Sequence, residues 1–381
     1  MIKYEKLFES FFLGGFECST HRLATGKRLD EIAATQHDRF ARQDYLRLQQ
    51  IGIRTAREGL RWYLIESRPG RYDFSSFLPM LRAAQETHTQ TIWDLFHYGW
   101  PDWLDLFEPR FIDAFANLAR EFAKVWANET DDVLYVAPLN EISFFAWAAG
   151  DVAVLNPFCT GRGDELKNHL VRATIAATKA LWEVDARTRI AQIEPMINVL
   201  PLDPTDETQA QVANDYRLAQ FQTWDMISGR LRPELGGAEK YLDIIGGNYY
   251  VHNQWILGKS FIDPDHPRHR PYRDMILELY ERYRRPFFVA ETGIEDERRP
   301  NWFRYVCGEA LAAARQGVQL EGICLYPIVN HPGWLDDRHC YNGLWDYADD
   351  DGNREIYEPL ARELARQQDI FKSDLQERDK I

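Results

Sequence analysis

Eight short apolar runs, rich in β-branched and aromatic residues, recur along the chain at 11–16, 53–59, 91–96, 133–139, 190–194, 244–249, 287–290 and 322–326. Runs with so few polar positions read as strands buried on both faces, as in a parallel sheet covered on each side. Between them, over 113–128, 166–185, 215–230, 272–284 and 302–316, apolar residues return every three or four positions, which predicts amphipathic helices. Eight strands alternating with helices is the count of a (β/α)₈ TIM barrel. A doubly wound sheet alternates in the same way, but no Gly-rich phosphate turn follows the first run. No linker or low-complexity segment interrupts the pattern, so residues 1–381 read as one domain. The longest irregular pieces, 151–163, 252–270 and 330–351, each follow a strand, which predicts loops around a barrel mouth.

Composition narrows the function classes. The formal net charge of -14 and a pI near 5.3 disfavour nucleic acid and anionic membrane surfaces. The five cysteines (Cys18, Cys159, Cys307, Cys324, Cys340) form no Cys-x-x-Cys pair, which argues against a disulfide framework or zinc cluster and for a reducing compartment. No signal peptide is read at the start and no run reaches the roughly 18 apolar residues of a membrane helix, so a cytoplasmic location is expected. Aromatics make up 13% of the chain; such rings stack on sugar faces, but most of them are expected to fill the core. The His- and Asp-containing segment 263–269 matches no metal-ligand spacing and reads as a solvated loop.

Two apolar runs end in a glutamate: Glu141 in Val136-Ala137-Pro138-Leu139-Asn140-Glu141, and Glu291 in Phe287-Phe288-Val289-Ala290-Glu291. At strand C-termini both would stand at the mouth of a barrel, and two carboxyls on one mouth are the minimum for hydrolysing a glycosidic bond. The residues after Glu141 (Ile142, Phe144, Phe145, Trp147) are apolar enough to raise a carboxyl pKa, as a proton donor requires. Glu291 would need charge and donors to remain ionised; Arg57 and Tyr250 are candidates. His97 and Trp100, just past the third run, stand where a hydroxyl-binding side chain could be.

Set in order, these pieces resemble a clan A glycoside hydrolase, closest to the β-glucosidase-like family 1. The resemblance runs from about residue 11 to 346. It is carried by Phe12-Leu13-Gly14-Gly15, Gly52-Ile53-Arg54-Thr55-Ala56-Arg57, Pro69-Gly70-Arg71-Tyr72-Asp73-Phe74 and His97-Tyr98-Gly99-Trp100-Pro101-Asp102-Trp103-Leu104. Asn140-Glu141, Asn248-Tyr249-Tyr250, Glu291-Thr292-Gly293 and Tyr326-Pro327-Ile328-Val329-Asn330-His331-Pro332-Gly333-Trp334 complete it. The resemblance implies Glu141 as acid/base and Glu291 as nucleophile. Arg57, His97, Trp100, Asn140, Asn248, Tyr250, Tyr326, Asn330 and Trp334 would hold the nucleophile or the sugar. It also implies a cis peptide at Tyr326–Pro327, where the X–Pro bond makes cis inexpensive.

The departures matter. Gly333 stands where the family has a glutamate gripping two hydroxyls, and Tyr326 replaces a Trp under the ring. Glu291-Thr292 replaces Glu-Asn, and Ile142-Ser143 replaces Pro-Trp after the acid. The family's first-strand Gln has no clear counterpart, with Glu17, His21 and Arg22 as nearby candidates. The expected activity is a retaining β-glycosidase, exo-acting on a small β-glycoside or oligosaccharide. It would use no metal or organic cofactor, and its carboxyls would lie roughly 5–5.5 Å apart. A transglycosidase, an enzyme for an unusual sugar, or a non-catalytic carbohydrate-binding barrel are the alternatives. The glycone and the oligomeric state are open.

Overall fold

The computed structural model describes residues 6–378, with side chains described as far as residue 374. Its ten strands are β1 (Phe12–Gly15), β2 (Thr55–Gly59), β3 (Gln90–Phe96), β4 (Tyr135–Leu139), β5 (Arg189–Pro195), β6 (Asn198–Leu200), β7 (Ile244–Asn248), β8 (Gln254–Ile256), β9 (Phe287–Thr292) and β10 (Leu320–Leu325). Eight of them close a parallel barrel in the order β1-β10-β9-β7-β5-β4-β3-β2. These are the eight predicted runs, each within a few residues of its expected ends. The fold is a (β/α)₈ barrel.

Two apolar layers hold it together, and strand periodicity assigns residues to each. Leu13, Ile92, Ala137, Ile193, Ile244, Phe288 and Ala290 fill the barrel interior. Their neighbours Ala56, Trp93, Val136, Ile245 and Val289 face outward into the cluster shared with the helices. The helix Arg110–Glu129 shows how the outer layer is built. Phe111, Phe115, Leu118, Ala119, Phe122, Ala123 and Trp126 are buried, a stripe spaced by three and four residues. Each buried Phe in it contributes about 1.5–3 kcal/mol.

The outer ring departs from the sequence reading in two places. The helix expected over 215–230 is two helices, Glu207–Leu218 and Gln222–Ile227, joined by a 3₁₀ turn at Ala219–Phe221. The first has only Ala213 buried, so its apolar periodicity is weak, while the second is buried from Thr223 to Ile227. The loops after the fifth and sixth barrel strands pair as a two-stranded parallel sheet, β6 with β8, which occupies part of the predicted loop 252–270. Three residues per strand are too few for a periodic signal. The helices His37–Gln50 and Glu358–Arg378 also add to the expected set.

The barrel mouth gathers the chemistry. The same alternation that buries Ile92 and Ile244 inside the barrel turns Asp94 and Asn248 inward two and four residues later. The Tyr326–Pro327 bond is cis. No helix among the described residues is long and apolar enough to cross a membrane.

Candidate active site

Arg57, the middle residue of β2 and fully buried, organises one half of the site. Its Nη1 donates to Glu291 Oε1 at 2.6 Å and to the Ala290 carbonyl at 3.2 Å. Its Nε and Nη2 make a two-point pair with Asp94 at 3.1 and 2.6 Å, and Nη2 also donates to Asn140 Oδ1 at 2.7 Å. A bidentate guanidinium–carboxylate pair is strong and fixed in direction, so Arg57 is held by Asp94 and presented to Glu291. The second Glu291 oxygen accepts from the Tyr250 hydroxyl at 2.8 Å. Both carboxylate oxygens thus meet a donor, one of them a cation. The Tyr326 ring lies 5.2 Å from the Arg57 guanidinium and parallel to the His97 ring. A Cβ at Gly15 would come within 2.0 Å of the Tyr326 ring, so glycine there makes room for that tyrosine.

Glu141 has different surroundings. Its residue sits at φ 46° and ψ 62°, a left-handed turn between β4 and the short helix Ile142–Phe145. That conformation costs a side-chain-bearing residue about 1–2 kcal/mol. Its N–H donates to the Ile193 carbonyl of β5 at 3.0 Å, which anchors the turn. The carboxylate accepts from Tyr98 Oη at 2.9 Å and Asn248 Nδ2 at 3.0 Å, both neutral donors. Burial and the nearby Glu291 charge push its pKa up to about 8, against the pull of those two hydrogen bonds.

His97 follows β3. Its Nδ1 lies 2.9 Å from Asp94 Oδ2 and 3.2 Å from Cys18 Sγ, and its Nε2 faces Asn140 Nδ2 at 3.2 Å. Burial opposes a charge on the ring, but Cys18, Asp94 and Glu17 hold its proton affinity well above the ordinary imidazole range. The Asn140 amide opposes them. Because Arg57 takes its oxygen, its N–H₂ points at Nε2, which favours the tautomer with the proton on Nδ1.

Of the three candidates for the first-strand polar residue, Glu17 is the one beside His97. Its Oε1 is 3.8 Å from His97 Nε2 and accepts from the N–H groups of Cys18 and Ser19. His21 instead bonds the Trp334 carbonyl, and Arg22 pairs with Asp102 on the rim. The Trp334 ring stands edge-on to Tyr98 at 5.3 Å and to His97 at 6.3 Å, between the two halves. At Gly333 a Cβ would meet Asp336 Oδ1 at 2.4 Å.

Two expected sugar-facing residues are committed elsewhere. The Trp100 indole N–H donates to the Leu104 carbonyl while its ring stacks on Phe96. The Asn330 side chain bonds Asp346 and the Gly343 N–H, tying the loop that follows β10. Conversely, Tyr98, Asp94 and Glu194 belong to the network without having been singled out. Asp94 and Glu194 each interrupt an apolar run near its C-terminal end, the same signal that marked Glu141 and Glu291. Cys18, Asp94 and His97 bring three possible metal-ligand atoms within 4.8 Å of one another. Asp94 is spent on Arg57 there, and the guanidinium opposes a cation.

No protein-family model matches the chain, and no curated protein matches it in sequence. Solved structures do match. A family 1 β-glucosidase from Thermotoga maritima superposes with a TM-score of 0.75 at 16% identity, covering 96% of this chain and 99% of that one. The β-glucosidase from Thermotoga maritima in complex with glucoimidazole gives 0.76 at 16% identity, with 95% and 99% covered. The AHE enzyme from Alicyclobacillus herbarius gives 0.75 at 16% identity, with 96% and 99% covered. The chain therefore has the fold of the family 1 β-glucosidases over nearly its whole length.

Proposed function

We propose that this protein is a retaining β-glycosidase. The observation that carries the proposal is the opposed setting of two buried glutamates on one barrel mouth, one gripped by a guanidinium and one met by the neutral donors Tyr98 and Asn248. In the first step a Glu291 oxygen forms a bond to the anomeric carbon as the bond to the leaving oxygen breaks. Glu141 gives its proton to that oxygen, leaving a glycosyl ester on Glu291 and a carboxylate on Glu141. In the second step Glu141 takes a proton from water, the water oxygen bonds the anomeric carbon, and Glu291 leaves as carboxylate. Two inversions restore the β configuration.

The remaining residues take roles from where they stand. Arg57 and Tyr250 hold Glu291 in line and stabilise the charge that returns to it. Tyr98 and Asn248 aim the Glu141 carboxyl. Glu17, His97 and Trp334 line the sugar side, with Glu17 supplying an acceptor where the loop at Gly333 supplies none. The loops at 151–163, 252–270 and 330–351 support exo action on a small β-glycoside. All five cysteines are free thiols, which supports a reducing, cytoplasmic setting.

The test is turnover of a panel of aryl β-glycosides (glucoside, galactoside, mannoside, fucoside, xyloside) with Glu291→Gln as control. Hydrolysis of at least one member, absent in the variant, is expected. A folded protein silent on the whole panel, or a variant as active as the native chain, contradicts the proposal.

A further inference from the structure

Glu194, the sixth residue of β5, is 1% exposed and takes no part in the chemistry described so far. It reaches across to the turn that carries Glu141. Its carboxylate accepts from the Ser143 N–H at 3.0 Å and from the Ser143 hydroxyl. Ser143 in turn touches Thr223 of the helix Gln222–Ile227 at 3.2 Å. The preceding residue of the same strand, Ile193, takes the N–H of Glu141 itself at 3.0 Å. The end of β5 therefore grips the left-handed turn at two points, one on each side of the Glu141 side chain.

We propose that Glu194 is a positioning residue for Glu141: it pins the turn that aims the Glu141 carboxyl and places a carboxylate behind it that helps it keep its proton. The second half of the proposal rests on the reading of Glu141 as proton donor. The groups that face the pair are few. Glu194 is met by Ser143, by the backbone N–H of Ile142 and by Lys167 from the helix Gly163–Val184, whose ammonium is bonded to Gln222 at 2.9 Å. Glu141 is met by Glu291 from β9, Glu194 from β5, Asn248 from β7, Tyr98 after β3 and Tyr250 after β7. Glu194 adds a like charge, which favours the protonated acid. Burial pushes the Glu194 carboxyl up to about 7 against the Ser143 bonds and Lys167, so its charge is present in the range where Glu141 titrates. A helix-capping residue with no bearing on the acid would hold the turn but leave the Glu141 proton alone.

The experiment is a ¹³C-carboxylate NMR titration of the full chain labelled at glutamate, with the Glu141 resonance assigned by its loss in Glu141→Gln. It is run on the native chain and on Glu194→Gln, Glu194→Asp and Ser143→Ala. Glu194→Gln keeps an acceptor for Ser143 and removes the charge. Its Glu141 midpoint is expected to move down by roughly one pH unit, and the basic limb of kcat/KM by the same amount, with KM little changed. Glu194→Asp keeps the charge and shortens the reach, so the midpoint stays high while kcat falls. Ser143→Ala moves the midpoint in the same direction as Glu194→Gln, by less, and stands in if that variant does not fold. A Glu141 midpoint unchanged in Glu194→Gln, or in Ser143→Ala in its place, overturns the proposal. The titration needs no turnover. A native chain silent on every glycoside would remove the catalytic reading while the titration still decides the link between the two carboxyls.

Discussion

Glu291 and Glu141 are the same residue on the same barrel mouth, and their neighbourhoods differ in kind. Around Glu291 the donors are Arg57 at 2.6 Å and Tyr250 at 2.8 Å, and Asp94 fixes the guanidinium from behind. Around Glu141 the donors are the neutral Tyr98 and Asn248, and the nearby charges are the carboxylates of Glu291 and Glu194. Burial acts on both. The cation makes the contrast: Arg57 faces one carboxyl, whereas the other meets neutral donors and like charges, which favour its proton. On the proposed reading, role at this site follows from what each strand places next to the carboxyl, not from the carboxyl itself.

The contrast breaks most severely at its charged end. Glu291→Gln is expected to lower turnover by about 10⁴-fold or more, since it removes the attacking carboxylate; steady-state rates on the best glycoside of the panel check this. Glu141→Gln should cost about 10²–10⁴-fold on substrates with poor leaving groups and much less on activated aryl glycosides. A loss independent of leaving group would mean that Glu141 does not donate the proton. Arg57→Met leaves Asp94 and Glu291 buried without their cation. It is expected to cost about 3–5 kcal/mol of stability, read by denaturant unfolding, and about a hundredfold or more in turnover.

Finer changes sharpen the contrast. Tyr250→Phe and Tyr98→Phe each remove one phenol, but from opposite halves. The first should slow turnover by about tenfold with the basic limb of the pH profile in place. The second removes a bond that lowers the Glu141 pKa, so the basic limb should move upward. Equal and opposite results would exchange the assigned roles.

The remaining effect is on stability. A carboxyl raised from 4.5 to about 8 in the folded chain binds a proton there that the unfolded chain has released, so stability falls as pH rises across that window. Glu141→Gln removes this slope, and unfolding curves at pH 5 and 8 should show the variant gaining on the native chain at the higher pH.

The barrel was legible because its strands are buried on both faces and so appear as unbroken apolar runs, each bounded by polar stretches. The helix Glu358–Arg378 was not, because its buried apolar residues Leu360, Leu364 and Phe371 are a line one residue wide in a charged segment. Glu141, Glu291, Arg57 and Tyr250 were legible from strand ends and motif order. Their partners were harder to see. Asp94 reads as one more residue of a strand and Tyr98 stands beside the more conspicuous His97, although its left-handed backbone (φ 62°) is what turns it toward Glu141. Trp100 and Asn330 show the converse limit. Motif position brought them to the mouth, but their polar atoms are satisfied by Leu104, Asp346 and Gly343, which only the folded chain reveals.

The measurement that tests the central claim most directly is covalent trapping. Activated 2-deoxy-2-fluoro β-glycosides slow both steps but favour formation of the glycosyl ester over its hydrolysis, so the intermediate accumulates for mass spectrometry and peptide mapping. The account predicts one glycosyl group per chain, on the peptide carrying Glu291, and none on Glu291→Gln. A label on Glu141, or turnover of a glycoside whose fluorinated analogue leaves no label on Glu291, would contradict it.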